Sequence, residues 1–333
     1  MSRRKIICLT PVKNEAWVLD TFLKSASVWA DHILIADQNS TDSSVETAKK
    51  FAKVTVVDNS SDKYNELSRQ QLLINLAREK FGTYTILFAL DADEILVNFY
   101  DNEDWKNIHS LEPGTAIFFP WLNVLPGNKT YFPSIVGKML FGYIDDGKEH
   151  TGKEIHSPRV PFYDDSQSIL ISSVKVLHFQ FAVKERQLSK HRWYECLEKI
   201  KFPEKNSIDL YRMYHHIDIP IPNEYEIPHS WFKHYQENGI DISAIKDDGL
   251  HWWDREVCLL LQQHGEMNFK KQYIWYKDWN AINKSYFPNT NRRIKDPRSI
   301  VDKMTHYWLK KSQQNPSTIL NRSVNKVLRF IKW

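Results

Sequence analysis

The chain has 333 residues, 42% of them hydrophobic and 26% charged, with a formal charge of +4. This is the composition of a folded globular protein with one large or two smaller cores, and it excludes a disordered chain. The modest positive balance gives no ground for a nucleic-acid partner and suits anionic ligands or an anionic membrane surface.

In chain order, Lys5 to Leu9 is a short apolar strand stopped by Thr10-Pro11. The stretch "EAWVLDTFLKSASVWA" then places Val18, Leu19, Phe22, Leu23, Ala26 and Trp29 at helical spacing. "HILIAD" reads as a second strand ending at Asp37, and a helix over Val45 to Phe51 follows, with Asp42 or Ser43 as its N-cap. "VTVVD" is a third strand. Asn65 to Lys80 forms a long helix facing inward with Leu67, Leu72, Leu73, Leu76 and Ala77, and "YTILFALD" is a fourth strand. Strand and helix alternating in this way predict a parallel sheet with helices on both faces. Ligands of such sheets bind beyond the carboxyl ends of the strands, where Pro11–Glu15, Asp37–Asp42 and Asp91–Glu94 all fall.

From about 114 to 183, Gly and Pro breaks predict shorter strands and long loops. After Lys184 the pattern is polar, aromatic and mainly helical, and neither a repeat nor a low-complexity segment occurs. The expected division is a catalytic domain over 1–185 and a mainly helical, aromatic-rich region over 186–333. The clusters "HRWYE", "YRMYHH" and "GLHWWDREVC" either pack that region or offer stacking faces to a sugar acceptor.

Asp91-Ala92-Asp93-Glu94 ends the fourth strand with three carboxylates in four residues. Acids this close repel one another, so a positive group is expected among them. On an extended segment Asp91 and Asp93 would point the same way, and hard oxygen ligands suit Mg²⁺ or Mn²⁺. The plain alternative is a solvated acidic loop.

Taken together, "TPVKNEAWVLDTFLKS", "ILIADQNSTDSS" and "YTILFALDADE" resemble the successive signatures of family 2-type glycosyltransferases with the Rossmann-like GT-A fold. The resemblance covers roughly the first hundred residues. It implies that Pro11, Asn14, Glu15 and Asp37, with Asp42 in the same loop, receive the base and ribose of a nucleotide-diphosphate sugar. Asp91 would lie near the ribose or the metal, and Asp93 would ligate Mn²⁺ or Mg²⁺ on the diphosphate. Arg69 resembles an arginine that contacts donor phosphate or pairs with Asp91; the usual following Asn is Gln70, and Asn39 replaces the usual loop glycine.

The acceptor base of that family is not visible here. "DDGKEHTGKEIHSPRVP" offers Asp146, His150, Glu154, His156 and Arg159, of which Glu154 or His156 is the expected base. His178 is the expected third metal ligand, against the alternative of a core histidine. The function so implied is metal-dependent, inverting sugar transfer to a glycan or lipid-linked hydroxyl, as in cell-surface glycan synthesis. Two rivals are a sugar-nucleotide nucleotidyltransferase, although "TPVKNEA" lacks a phosphate-loop glycine, and a catalytically silent nucleotide-sugar binder.

Cys8, Cys196 and Cys258 form no metal or redox spacing, which fits a reducing compartment. The N-terminal apolar stretch of about four residues is too short for a signal-peptide core. No window reaches the ~18 apolar residues of a membrane span. A cytoplasmic protein is expected, with peripheral contact to the cytosolic membrane face as a further expectation. In the tail "ILNRSVNKVLRFIKW", Leu320, Val324, Val327, Leu328 and Ile331 share one helix side, and Arg322, Lys326, Arg329 and Lys332 another, with Phe330 and Trp333 at the end. Such a helix meets an anionic membrane or docks on the protein's own core.

Overall fold

The structure, a computed structural model, describes residues 3–60, 65–215, 219, 221, 223–246, 249, 251–330 and 333. Strand β1 (Ile6–Val12) leads to α1 (Ala16–Trp29), β2 (His32–Asp37), α2 (Ser44–Ala48), β3 (Val54–Asp58), α3 (Glu66–Phe81) and β4 (Ile86–Ala89). These four strands pair in parallel in the order β3-β2-β1-β4. The inner strands are apolar at nearly every position because both faces are covered. Alternation then sorts the side chains. Ile6, Cys8, Ile33, Ile35 and Phe88 share a core with Leu19, Phe22 and Ala26 of α1, whereas Ile7, Leu9, Leu34, Ala36 and Leu87 share one with Leu73, Ile74 and Ala77 of α3.

The chain continues through β5 (Glu94–Val97), α4 (Glu103–Asn107), β6 (Ala116–Val124), β7 (Thr130–Ile144), β8 (Ser168–Leu170) and β9 (Lys175–His178). Antiparallel β7 extends the sheet beyond β4 and pairs with antiparallel β6; β9 runs parallel to β6, and β5 closes antiparallel on β9. The result is a mostly parallel α/β sheet flanked by helices, of the Rossmann-like GT-A kind. Gly142 of β7 lies opposite Phe88, where a β-carbon would sit 2.4 Å from the Phe88 ring. The missing side chain makes room for Phe88 to stack between Trp105 and Phe119, at centroid distances of 5.3 and 5.7 Å.

Beyond β9 come α5 (Lys184–Lys201), α6 (Ser207–Tyr214), the two-residue strand β10 (Tyr225–Glu226), α7 (Lys233–Glu237), α8 (Trp252–His264), α9 (Trp279–Tyr286), α10 (Ile300–Ser312) and α11 (Ile319–Phe330). Contacts divide the chain into one unit of residues 1–183 and 223–248 and another of 184–222 and 249–333. The segment 223–248 thus joins the sheet unit: β10 pairs with β7, and the Tyr235 hydroxyl donates to the Leu96 carbonyl. In the helical unit a buried Arg192 donates to both Asp254 oxygens, at 2.8 and 2.7 Å, and to the Tyr276 hydroxyl at 2.7 Å. Trp193, Tyr211 and Trp253 of the aromatic clusters are buried in this unit.

Two local expectations change. On α3 the buried residues include Glu66, Gln70 and Ile74, while Leu67, Leu72 and Leu76 are only half-buried. The cause is the loop between β7 and β8, which covers the start of α3. Glu66 N–H donates to the Glu154 carbonyl, Ser157 N–H donates to Glu66 Oε2, both at 2.9 Å, and the Gln70 amide meets His150 Nε2 at 3.1 Å. Gly152 permits the loop to fold so tightly, since a β-carbon there would collide with Ser157 Oγ. The tail also departs from one clean apolar face. Trp333 is buried and donates to Asp302 at 2.8 Å, and Leu328 joins its cluster, but Leu320, Val327 and Phe330 are exposed. Ile331 and Lys332 lie outside the described residues.

Candidate active site

The carboxyl ends of β1 and β2 are knitted together by side chains from the loops that follow. Gln38 N–H donates to the Val12 carbonyl at 2.8 Å, extending the pairing of Val12 with Asp37. Asn14 turns into the left-handed region, with φ of 55°, and its Oδ1 accepts from Thr41 N–H at 2.7 Å and Asp42 N–H at 3.3 Å. Asp42 in turn accepts from Ala16 N–H at 3.0 Å and Ser44 N–H at 2.9 Å, so it fastens the starts of both α1 and α2. Glu15 accepts from the Trp17 indole at 2.7 Å, and Pro11 lies within β1. These contacts give Asn14 and Asp42 scaffold roles of their own. Asp37 differs: its Oδ2 accepts from Ser40 N–H at 3.1 Å, while its buried Oδ1 has no hydrogen-bond partner among the described residues. A buried carboxylate oxygen left this way is costly unless a donor arrives from outside.

The acids after β4 do not stand on an extended segment. Asp91 to Glu94 form a tight turn, with Glu94 N–H donating to the Asp91 carbonyl at 3.0 Å and Asp91 N–H to Glu94 Oε2 at 2.8 Å. The turn sends the two aspartates to different partners. The positive group that the three carboxylates require is Arg159, from the loop over α3. Its guanidinium donates to Asp91 Oδ2 at 2.9 Å, to Glu94 Oε1 at 3.1 Å and to Glu94 Oε2, while packing on the Phe141 ring at 5.3 Å. Glu94 is fully buried, and burial pushes its carboxyl above the ordinary carboxylate range against the pull of Arg159. Burial also works against the Arg159 charge, but Asp91 and Glu94 outweigh it and hold the guanidinium above its ordinary range. Such a fork between two carboxylates is work for arginine rather than lysine.

Asp93 goes the other way, toward β9. Glu94 pairs with His178 across β5 and β9, and Phe179 N–H donates to the Asp93 carbonyl at 2.8 Å, which brings Asp93 Oδ2 to 3.5 Å from His178 Nε2. The His178 ring is buried, stacks on Trp121 at 4.7 Å, and meets Asn123 Oδ1 through Nδ1 at 3.1 Å. Asn123 Oδ1 is an acceptor, so Nδ1 donates to it, which fixes the ring with Nε2 facing Asp93. Trp121 Nε1 is buried without a hydrogen-bond partner among the described residues. No cluster of three or more His, Cys, Asp or Glu side chains able to hold a metal occurs among the described residues. The expected trio of Asp91, Asp93 and His178 is therefore divided: Asp93 and His178 adjoin, and Asp91 is engaged by Arg159.

Of the other expected residues, Arg69 is half-buried on α3, and Glu154 and His156 are exposed on the covering loop, His156 with a φ of 61°. Asn123 and Trp121 carry no signal in the sequence; Glu94 is visible there as one of three clustered acids, but not as the buried partner of Arg159. Glu94 carries a signal, as an acid opening the apolar run "EILV", and Arg159 carries one as the cation in "SPRVP".

No family model matches the chain, and no curated protein does. Among solved structures it is similar to glucosyl-3-phosphoglycerate synthase from Mycobacterium tuberculosis in complex with Mn²⁺, UDP-glucose and phosphoglyceric acid. There the identity is 19% and the TM-score 0.26, over 36% of this chain and 44% of that one. It is also similar to HddC from Yersinia pseudotuberculosis, at 8% identity and TM-score 0.32, over 54% of this chain and 95% of that one. The chain thus spans less than half the length of the synthase it matches.

Proposed function

We propose that the protein is a metal-dependent glycosyltransferase that moves a sugar from a nucleotide-diphosphate donor to an acceptor hydroxyl with inversion. The observation that carries this reading is the presence, beyond the carboxyl ends of β2 and β4 on either side of β1, of two distinct polar sites: Asp37 with a buried oxygen lacking a hydrogen-bond partner among the described residues, and Asp93 beside the Nε2 of an oriented His178. In this reading Asp37 accepts from the donor ribose or base, against the Pro11–Glu15 turn that Asn14 and Asp42 hold in place. Asp93 and His178 hold Mn²⁺ or Mg²⁺, a donor set of carboxylate oxygen and imidazole whose outer nitrogen is already fixed by Asn123. When bound, the cation neutralises the diphosphate of the departing nucleotide.

Arg159 keeps Asp91 and Glu94 compensated, so the turn that aims Asp93 is stable whether or not a metal is present. Trp121 Nε1 offers an indole N–H to the same anionic group, and Arg69 is assigned to the donor phosphate. The acceptor proton goes to Glu154 or His156, on the loop anchored to α3; the acceptor is a glycan or lipid-linked hydroxyl, as in cell-surface glycan synthesis. The unit of residues 1–183 and 223–248 carries this chemistry. A screen of nucleotide-diphosphate sugars by thermal shift, with and without Mn²⁺, tests the reading, since only native-state ligands raise the midpoint. A Mn²⁺-dependent rise with at least one donor is expected; no rise with any donor overturns it.

A further inference from the structure

The last two helices leave a large apolar surface in solvent. On α10, Ile300, Val301, Met304 and Tyr307 are exposed, Met304 at 67%. They lie one helical turn apart on the side opposite the buried Thr305, His306 and Leu309. On α11, Ile319, Leu320, Val327 and Phe330 are exposed, Phe330 at 86%, while Asn325 and Trp333 turn inward. Each helix therefore seats one face in the helical unit and presents a second, apolar face outward. Exposed apolar stripes on two consecutive helices exceed the scattered single residues that soluble surfaces tolerate.

The charge around these stripes selects the occupant. Between residues 300 and 330 there are six basic residues, Lys303, Lys310, Lys311, Arg322, Lys326 and Arg329, and one acid, Asp302. Asp302 is buried, accepting from Ser299 and from the Trp333 indole, so it offers solvent nothing. Arg329 is paired with Asp209, and the five other lysines and arginines are exposed on the same two helices as the apolar stripes. Lys311 lies over the Tyr307 ring at 5.2 Å, an aromatic and cation pair suited to a headgroup layer. A second copy of the same surface would bring like charges together, whereas anionic lipid complements both the apolar and the basic stripe.

We propose that α10 and α11 together form a peripheral docking surface for an anionic lipid bilayer, with Met304, Tyr307, Leu320, Val327 and Phe330 entering the interface and the flanking lysines and arginines meeting the headgroups. The buried Trp333 acts here as the clamp that fixes α11 to Asp302, and not as the membrane anchor that its terminal position suggests. This surface is independent of the proposed reaction, and its test needs no donor or acceptor.

The full-length protein should co-sediment with mixed phosphatidylserine–phosphatidylcholine vesicles at low salt, and not with phosphatidylcholine alone. The exposed-site variants Met304→Ser/Phe330→Ser and Lys310→Glu/Lys326→Glu should each lower the partition coefficient by about tenfold or more, with unchanged thermal midpoints. High salt should abolish binding of the wild type. Absence of sedimentation with anionic vesicles overturns the proposal, as does binding that neither pair of substitutions weakens. Dimerisation of the wild type in sedimentation equilibrium, lost in Met304→Ser/Phe330→Ser, would give the surface to a second copy and overturn it equally.

Discussion

Replacing Arg159 with glutamine removes the only cation that touches both Asp91 and Glu94 among the described residues, and the cost follows from Glu94. That carboxyl is fully buried, and after the substitution it keeps the Asp91 N–H at 2.8 Å but loses its charged partner. An unpaired buried carboxylate takes up a proton rather than remain charged. From an ordinary glutamate pKa, protonation at pH 7 costs about 3.7 kcal/mol, which sets the ceiling on the loss if glutamine leaves the packing intact. The value agrees with the roughly 3–5 kcal/mol measured when one partner of a buried ion pair is deleted.

The pH dependence has a definite sign. Without Arg159 the folded-state pKa of Glu94 rises further above its unfolded value, so the penalty is small near the unfolded pKa and grows as pH rises toward the folded one. At pH 5 the same ceiling is about 1 kcal/mol. Urea unfolding of wild type and Arg159→Gln at the two pH values, with equal m-values, measures both numbers. A loss below about 1 kcal/mol at pH 7, or one that does not shrink on acidification, would refute the claim that Arg159 compensates the acid cluster.

Three further outcomes are expected. Gly142→Ala should destabilise by about 1–3 kcal/mol, because the new methyl meets the Phe88 ring in a filled core; a thermal midpoint equal to wild type would contradict this. Asp37→Ala should leave the midpoint unchanged or raise it, since an unpartnered buried oxygen disappears, while weakening nucleoside-diphosphate affinity in calorimetry by about tenfold. Asn123→Leu should lower Mn²⁺ affinity by about 10–100-fold by freeing the His178 ring, and an unaltered affinity would separate His178 from the metal.

The alternation of β1 through β4 with their helices is legible in the sequence because it is written in local periodicity. Short continuous apolar runs and apolar residues spaced three to four apart need no knowledge of distant partners. The site is legible only in part, because its decisive contacts are long-range. Asp37, Asp91 and Asp93 stand out as acids at strand ends, but their fates depend on residues far along the chain. Arg159 reaches Asp91 across 68 positions and Glu94 across 65, and Asn123 meets His178 across 55. The tight turn at Asp91–Glu94 follows from Glu94 reaching back to the Asp91 amide, and an extended reading of the D-x-D overlooks it. The buried Glu66 and Gln70 were hidden for the same reason, since a helix face looks solvated until the covering loop is known. At the tail, periodicity gave the amphipathic helix, but the division of its apolar residues between core and solvent is set by Trp333 binding Asp302 on another helix.

The most direct test of the glycosyl-transfer account is donor turnover in Asp93→Ala. Release of nucleoside diphosphate from the donor identified by the thermal screen would be followed in wild type and variant across a Mn²⁺ titration, with the unfolding midpoint measured alongside. The account predicts Mn²⁺-dependent release in the wild type, and a loss of about a hundredfold or more in a variant that is at least as stable, since a repelling carboxylate has been removed. Release by Asp93→Ala at near the wild-type rate, with the same dependence on Mn²⁺, would contradict it.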